Sequence, residues 1–213
     1  MVYTEAIMDI LSKLFSSKPL VKIMRLFLLN PETCFESKDI ISRSKVSSSA
    51  LRTEIKILSD IGFVKKKSFY KEKLISSKSR KVNKKRVQGW CLDDSFPYLH
   101  PLRLLLMGSD ILNKKDAIKK IQKAGKIKLV VLSGIFLKEE NGRVDMLIVG
   151  DDIKKKSIEN TLKSVESEIG KELSYSIMDT KEFQYRSNMR DRFVRDILDY
   201  PHEILIDRIG ALS

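Results

Sequence analysis

The sequence predicts an α+β protein of two domains, the first a set of helices closed by a β-hairpin and the second a small α/β unit. Three observations lead there. The chain has 213 residues, a length that suits one or two domains, and 42% of them are hydrophobic, enough to build buried cores. Apolar residues recur at helical spacing through the first sixty positions and then give way to extended patterns, whereas the second half alternates strand-like and helix-like segments. The net charge of +13 is unevenly placed. Residues 1–105 carry 21 Lys/Arg against 10 Asp/Glu, a net +11, while residues 106–213 carry 20 against 18, a net +2. The halves therefore present different surfaces, and a polyanionic partner belongs to the first.

Taken in order, residues 4–16 predict a helix, with Thr4 as cap and Ile7, Ile10, Leu11, Leu14 and Phe15 on one stripe. A second helix starts near Lys18-Pro19, where proline suits a first turn, carries Leu20, Ile23, Met24, Phe27 and Leu28, and stops at Asn30-Pro31. Residues 37–44 predict a short helix opened by Ser37, with Ile40 and Ile41 inward. After the turn Lys45-Val46 comes a longer helix capped by Ser47 or Ser48. Leu51, Ile55 and Leu58 form its buried stripe, and Gly62 ends it. Its other face carries Ser48, Ser49, Arg52, Thr53 and Lys56, short hydrogen-bonding groups and long cations suited to base edges and phosphates.

Residues 63–67 and 86–92 predict two paired strands, the second bulged at Gly89, around a long basic loop, 69–85. Lys65, Lys66, Lys67, Lys71, Lys73, Lys78, Arg80, Lys81, Lys84, Lys85 and Arg86 give this tract eleven cations against the single acid Glu72. So one-sided a run, directly after such a helix, points to nucleic acid.

Residues 96–113 predict a linker, with an apolar helix over 98–107 and a joint at Gly108-Ser109-Asp110. Beyond it the pattern predicts a helix at 114–124, strands at 126–136, 143–149 and 173–178, and helices at 153–169 and 180–199. Ile158, Leu162, Val165 and Ile169 face inward on the first of these two helices. Residues 203–209 fit a short strand or a helix. The domains are thus expected at 1–95 and 114–213.

Several classes are excluded. The longest nearly apolar run, Leu129 to Leu137, falls far short of the roughly 20 residues a membrane helix needs. Glu5 and Asp9 stand where a signal peptide would be basic and then apolar. Cys34, Cys91, His100 and His202 have no ligand spacing, so no zinc site, metal or cofactor is expected. A cytoplasmic protein without membrane contact is expected.

The order of helix, two helices across a tight turn and basic hairpin resembles the winged helix-turn-helix DNA-binding domains of bacterial and archaeal regulators. The segment Val46 to Val64, with its Leu-Ser-Asp-Ile-Gly-Phe-Val exit, is similar to their recognition helix. The resemblance implies a sequence-specific transcription regulator that binds double-stranded DNA as a homodimer. Ser47, Ser48, Ser49, Arg52, Thr53 and Lys56 would lie in the major groove and the eleven tract cations on flanking phosphates.

The second half resembles a minimal nucleotidyltransferase domain. That family has a Gly-Ser turn after its first strand, two acids one residue apart opening the second, and a third acid on a later strand, which together hold metal ions. Gly134 fits the glycine and Asp145 the second acid. Ile135 stands in place of the serine, Arg143 in place of the first acid, and Ser174 or Ser176 in place of the third. One acid of three makes no two-metal site. The resemblance therefore implies a degenerate, non-catalytic domain with a cleft at Gly134, Arg143 and Asp145, which senses a small-molecule or nucleotide effector or mediates assembly. The rival readings are an active nucleotidyltransferase targeted by a winged helix, disfavoured by the acid count, and an RNA-binding protein, disfavoured by the few aromatics near the basic tract.

Overall fold

The computed structural model describes residues 6–76, 79–107, 114–137 and 142–210. They form two compact units, Met1–Asp110 with Ser167–Lys171, and Ile111–Glu166 with Glu172–Ser213.

In the first unit α1 (Ala6–Leu14) precedes α2 (Lys18–Leu28), whose residues Val21 to Leu28 are all buried. Ser17 caps α2 by accepting from the Leu20 amide, and its hydroxyl donates to the Glu54 carboxylate on α4 (Ser48–Asp60), tying the two helices together. Between them α3 (Ser37–Ser44) is capped one residue earlier than expected. The Glu36 amide donates to Asp39, whose carboxylate reaches back across the first turn. Lys45 in the left-handed region (φ 48°) turns the chain from α3 into α4 within three residues. Leu51, Ile55 and Leu58 of α4 join Ile23, Phe27 and Ile40 in one core.

The hairpin departs most from expectation. Strand β1 (Val64–Ser76) and strand β2 (Ser79–Leu92) pair antiparallel along almost the whole basic tract, so the expected loop is mostly a ladder. The apolar pair Phe69 and Val87, opposite each other among the lysines, helps to explain this. The irregularity in register lies between Leu74 and Ser76, and Gly89 pairs regularly with Lys67. Gly89 has another reason to be glycine: a Cβ there would collide with the Phe35 carbonyl. Phe35 forms a β-bridge with Trp90, each amide donating to the other's carbonyl at 2.8 Å.

The helix expected as a linker, α5 (Leu99–Met107), belongs to the first unit. Leu106 is buried in its core, and Arg25 Nε donates to the Leu106 carbonyl at 3.1 Å. On α1, Leu11 is buried and Phe15, just beyond the helix, is partly buried, while Ile10 is 53% and Leu14 64% exposed, so the expected single stripe is split.

Beyond α5 the chain runs α6 (Lys114–Gln122), β3 (Lys126–Leu132), a 3₁₀ turn (Gly134–Leu137), β4 (Met146–Asp151), α7 (Lys155–Ile169), β5 (Tyr175–Met178), α8 (Thr180–Asn188), α9 (Arg192–Asp199) and β6 (Glu203–Asp207), all in the second unit except the end of α7 from Ser167. The sheet of this unit has the order β5-β4-β3-β6. The β4–β5 pair is parallel and the others antiparallel. The long helix expected at 180–199 is two helices. Arg190 turns left-handed (φ 52°), and Asp191 recaps the chain by accepting from the Phe193 and Val194 amides. The terminal segment left open between strand and helix is a strand on β3, and the four inward residues expected on α7 are buried.

Candidate nucleic-acid interface

Helix α4 rests its apolar face on α2 and α3 and turns the opposite one outward. Ser48, Ser49, Arg52, Thr53 and Lys56 are all exposed. They are not equally available. Ser47 is the cap, accepting from the Ala50 amide at 3.1 Å and sharing a hydrogen bond with Ser49, and Thr53 donates back to the Ser49 carbonyl. Arg52 and Lys56 are the long cations on that face, and Ile57 beside them is 45% exposed.

The hairpin is anchored at three levels. Val64 and Leu92 are buried at its base. One step further along, Cys34 and Cys91 form a disulfide. Phe35 and Trp90 exchange both of their hydrogen bonds, so the adjoining residues form a non-hydrogen-bonded pair, the closer of the two antiparallel spacings. Their Cα atoms are 4.3 Å apart. Two cysteines separated by 57 residues carry no local signature, and only the Phe35–Trp90 bridge brings them together.

The third anchor is Lys71. Instead of projecting with the other cations, it meets Asp39 at 2.6 Å and Glu36 at 3.1 Å on the α3 cap. Its pKa is raised, first by the hydrogen bond to Asp39 and also by Glu36, and that of Glu36 is lowered by Lys38 and by Lys71. Lys65 at the base of the hairpin pairs with Asp93 at 3.1 Å. Lys66, Lys67, Lys84, Lys85 and Arg86 are exposed. Lys73, Arg80 and Lys81 lie on the ladder, but their side chains fall outside the described residues, as does Lys78 altogether.

In the second unit Gly134, Arg143 and Asp145 do not share a strand face, because β4 begins only at Met146. Asp145 directs one carboxylate oxygen to the Ile135 amide at 2.9 Å and the other to the Ser174 amide at 2.8 Å. Gly134 is left-handed (φ 55°), and a Cβ on it would strike that carboxylate. Arg143 turns away to Asp196 on α9, 2.8 Å from Nε. The cavity beside them, lined by Ser133, Gly134, Gly142, Arg143, Asp196 and Tyr200 among others, measures about 30 Å³, the scale of one water rather than of a nucleotide.

Among the described residues no group of three or more His, Cys, Asp or Glu is placed to hold a metal ion, and no helix is long and apolar enough to cross a membrane. No protein-family model, curated protein or solved structure matches this chain.

Proposed function

We propose that this protein is a sequence-specific, double-stranded DNA-binding transcription regulator, with α4 as its reading helix and the β1–β2 hairpin as its wing. The observation that carries this is the exposed polar face of α4, with Arg52 and Lys56, standing next to a cationic hairpin. At about 3.3 Å per residue a strand of this length spans about 40 Å, slightly more than one turn of B-DNA. Such a wing can follow flanking phosphates or enter a minor groove.

The second unit acts in this reading without nucleotide transfer, in effector sensing or assembly. Two-metal transfer needs several carboxylates facing the same ions. Here the one acid in register is turned to two backbone amides, and the neighbouring position is an arginine paired with Asp196. A homodimer through the outward Ile10 and Leu14 of α1 completes the proposal. A monomeric mass at micromolar concentration counts against it.

The test is site selection from random duplexes, followed by titration of Arg52→Ala. If Arg52 reads a base, preference relaxes at one position of the site, at a cost of about 1–3 kcal/mol there. Equal weakening on every sequence makes Arg52 a phosphate contact. Equal competition by duplex RNA overturns the choice of DNA.

A further inference from the structure

The near-neutral total charge of the second half hides a polarised surface. The turn after α6 packs on the turn before α7. The Lys154 amide donates to the Ala124 carbonyl at 2.8 Å, and Gly125 lies so close to residues 151–153 that a Cβ would sit 2.9 Å from the Ile153 Cα. This contact gathers Lys119, Lys120 and Lys123 with Lys154, Lys155 and Lys156, all exposed. Among the described acids of these turns, Asp152 is engaged by Lys126 and Asp151 by Lys128, each at 2.8 Å, and the side chain of Asp116 on α6 falls outside the described residues. Glu159, one turn along α7, offsets one of the six charges. Six like charges crowded together, three of them at the positive end of α7, raise the energy of the free surface, and a polyanion lowers it.

We propose that these six lysines form a second, sequence-independent contact to the phosphate backbone of nucleic acid. The proposal rests on the reading of the protein as a DNA binder, and it places part of the binding in the unit whose own charge sum is close to zero. Membrane surfaces are usually held by cations beside an exposed apolar anchor. Here the interleaved Ala117, Ile121, Ala124 and Ile158 are all buried. Protein interfaces are depleted in lysine. Lysines on flexible stems, with no arginine fork among them, suit phosphates met at variable positions and do not read bases.

The experiment measures the salt dependence of duplex affinity for the full chain. One variant carries Lys119, Lys120 and Lys123→Gln, and another Lys154, Lys155 and Lys156→Gln. A control neutralises the exposed Lys163, Lys171 and Lys181, and a wing variant neutralises Lys84, Lys85 and Arg86. Each patch variant should lower the slope of log affinity against log salt by up to about 2.7, at about 0.9 for each lost contact, and the control should lower it far less. Patch variants that behave like the control overturn the proposal. So does an unchanged slope combined with loss of sedimentation on anionic phosphatidylserine vesicles, which assigns the patch to membranes. A wing variant without effect beside patch variants with full effect overturns the winged-helix reading and leaves this contact standing.

Discussion

Replacing Asp145 by asparagine tests whether the one acid that fits the expected nucleotidyltransferase-like pattern is structural. In the structure its carboxylate joins two backbones, accepting from Ile135 at the 3₁₀ turn and from Ser174 before β5. The main chain repeats the link, since the Ser133 amide donates to the Asp145 carbonyl and the Asp145 amide to the Ser174 carbonyl. A hydrogen bond to a charged group contributes about 1.5–3 kcal/mol. Asparagine keeps one acceptor and sets an NH₂ against the other amide, so one such bond is lost and two donors face each other. Ser174 is exposed, and water softens the conflict on that side. The expected loss is therefore about 2 kcal/mol, read as a lower urea midpoint with unchanged slope. Asp145→Ala should cost more. Gly134→Ala in that background should cost less than in the wild type, because the carboxylate its Cβ would strike has gone. DNA affinity should stay nearly constant throughout. A loss below about 0.5 kcal/mol refutes the structural role, and magnesium-dependent nucleotide incorporation abolished by Asp145→Asn refutes the non-catalytic reading.

Three further outcomes are expected. Reduction of the Cys34–Cys91 disulfide, or Cys34→Ser, should cost about 4 kcal/mol on a chain-entropy basis for a loop of 57 residues; an identical denaturation curve with and without reductant argues that no bond forms. Lys71→Gln should leave the salt slope of DNA binding unchanged while Lys85→Gln lowers it, because Lys71 already faces Asp39 and Glu36; equal slopes for the two variants refute the clamp. The Asp151 carboxyl, held down to about 2 by Lys128 and then Thr180, has a folded pKa below its unfolded value. It therefore stabilises the fold above pH 4, and that contribution fades as pH falls towards 2. The melting difference between wild type and Asp151→Asn should shrink across that window, and a difference that grows with acid contradicts the assignment.

The helices were legible because burial follows the 3.6-residue period. The stripe Leu51, Ile55, Leu58 and the row Ile158, Leu162, Val165, Ile169 are buried as their spacing implies. The hairpin was legible only at its base. Eleven cations in one tract read as a loop, but strand preference is set by cross-strand partners, and Phe69 opposite Val87 was the signal that the ladder continues. Gly89 read as a bulge because the approach of Phe35 is non-local, and the disulfide was hidden for the same reason. Arg143 and Asp145 fit the alternation of a strand in sequence, but β4 begins only at Met146, three residues beyond Arg143. The lysines of α6 and α7 were all visible, yet summing charge over the half concealed that the fold places six of them together.

The first unit holds the surface proposed to read DNA ready-made. Most of a short helix's stability comes from its packed face. In α4 that face is buried and the first turn is capped by Ser47, so Arg52 and Lys56 extend from a fixed backbone. A two-stranded hairpin is marginal alone in water. This one is held at its base by Val64 and Leu92, by a disulfide and the Phe35–Trp90 bridge beside it, and further out by Lys71 on the α3 acids. Ordering a loop on binding costs conformational entropy that a built ladder does not incur again. In the proposed reading the same clamp removes one lysine from the phosphate-facing set, so the hairpin trades a unit of attraction for a defined direction. In the proposed role of finding one site among many, direction is the more useful property, since phosphate attraction is common to every sequence and register is not.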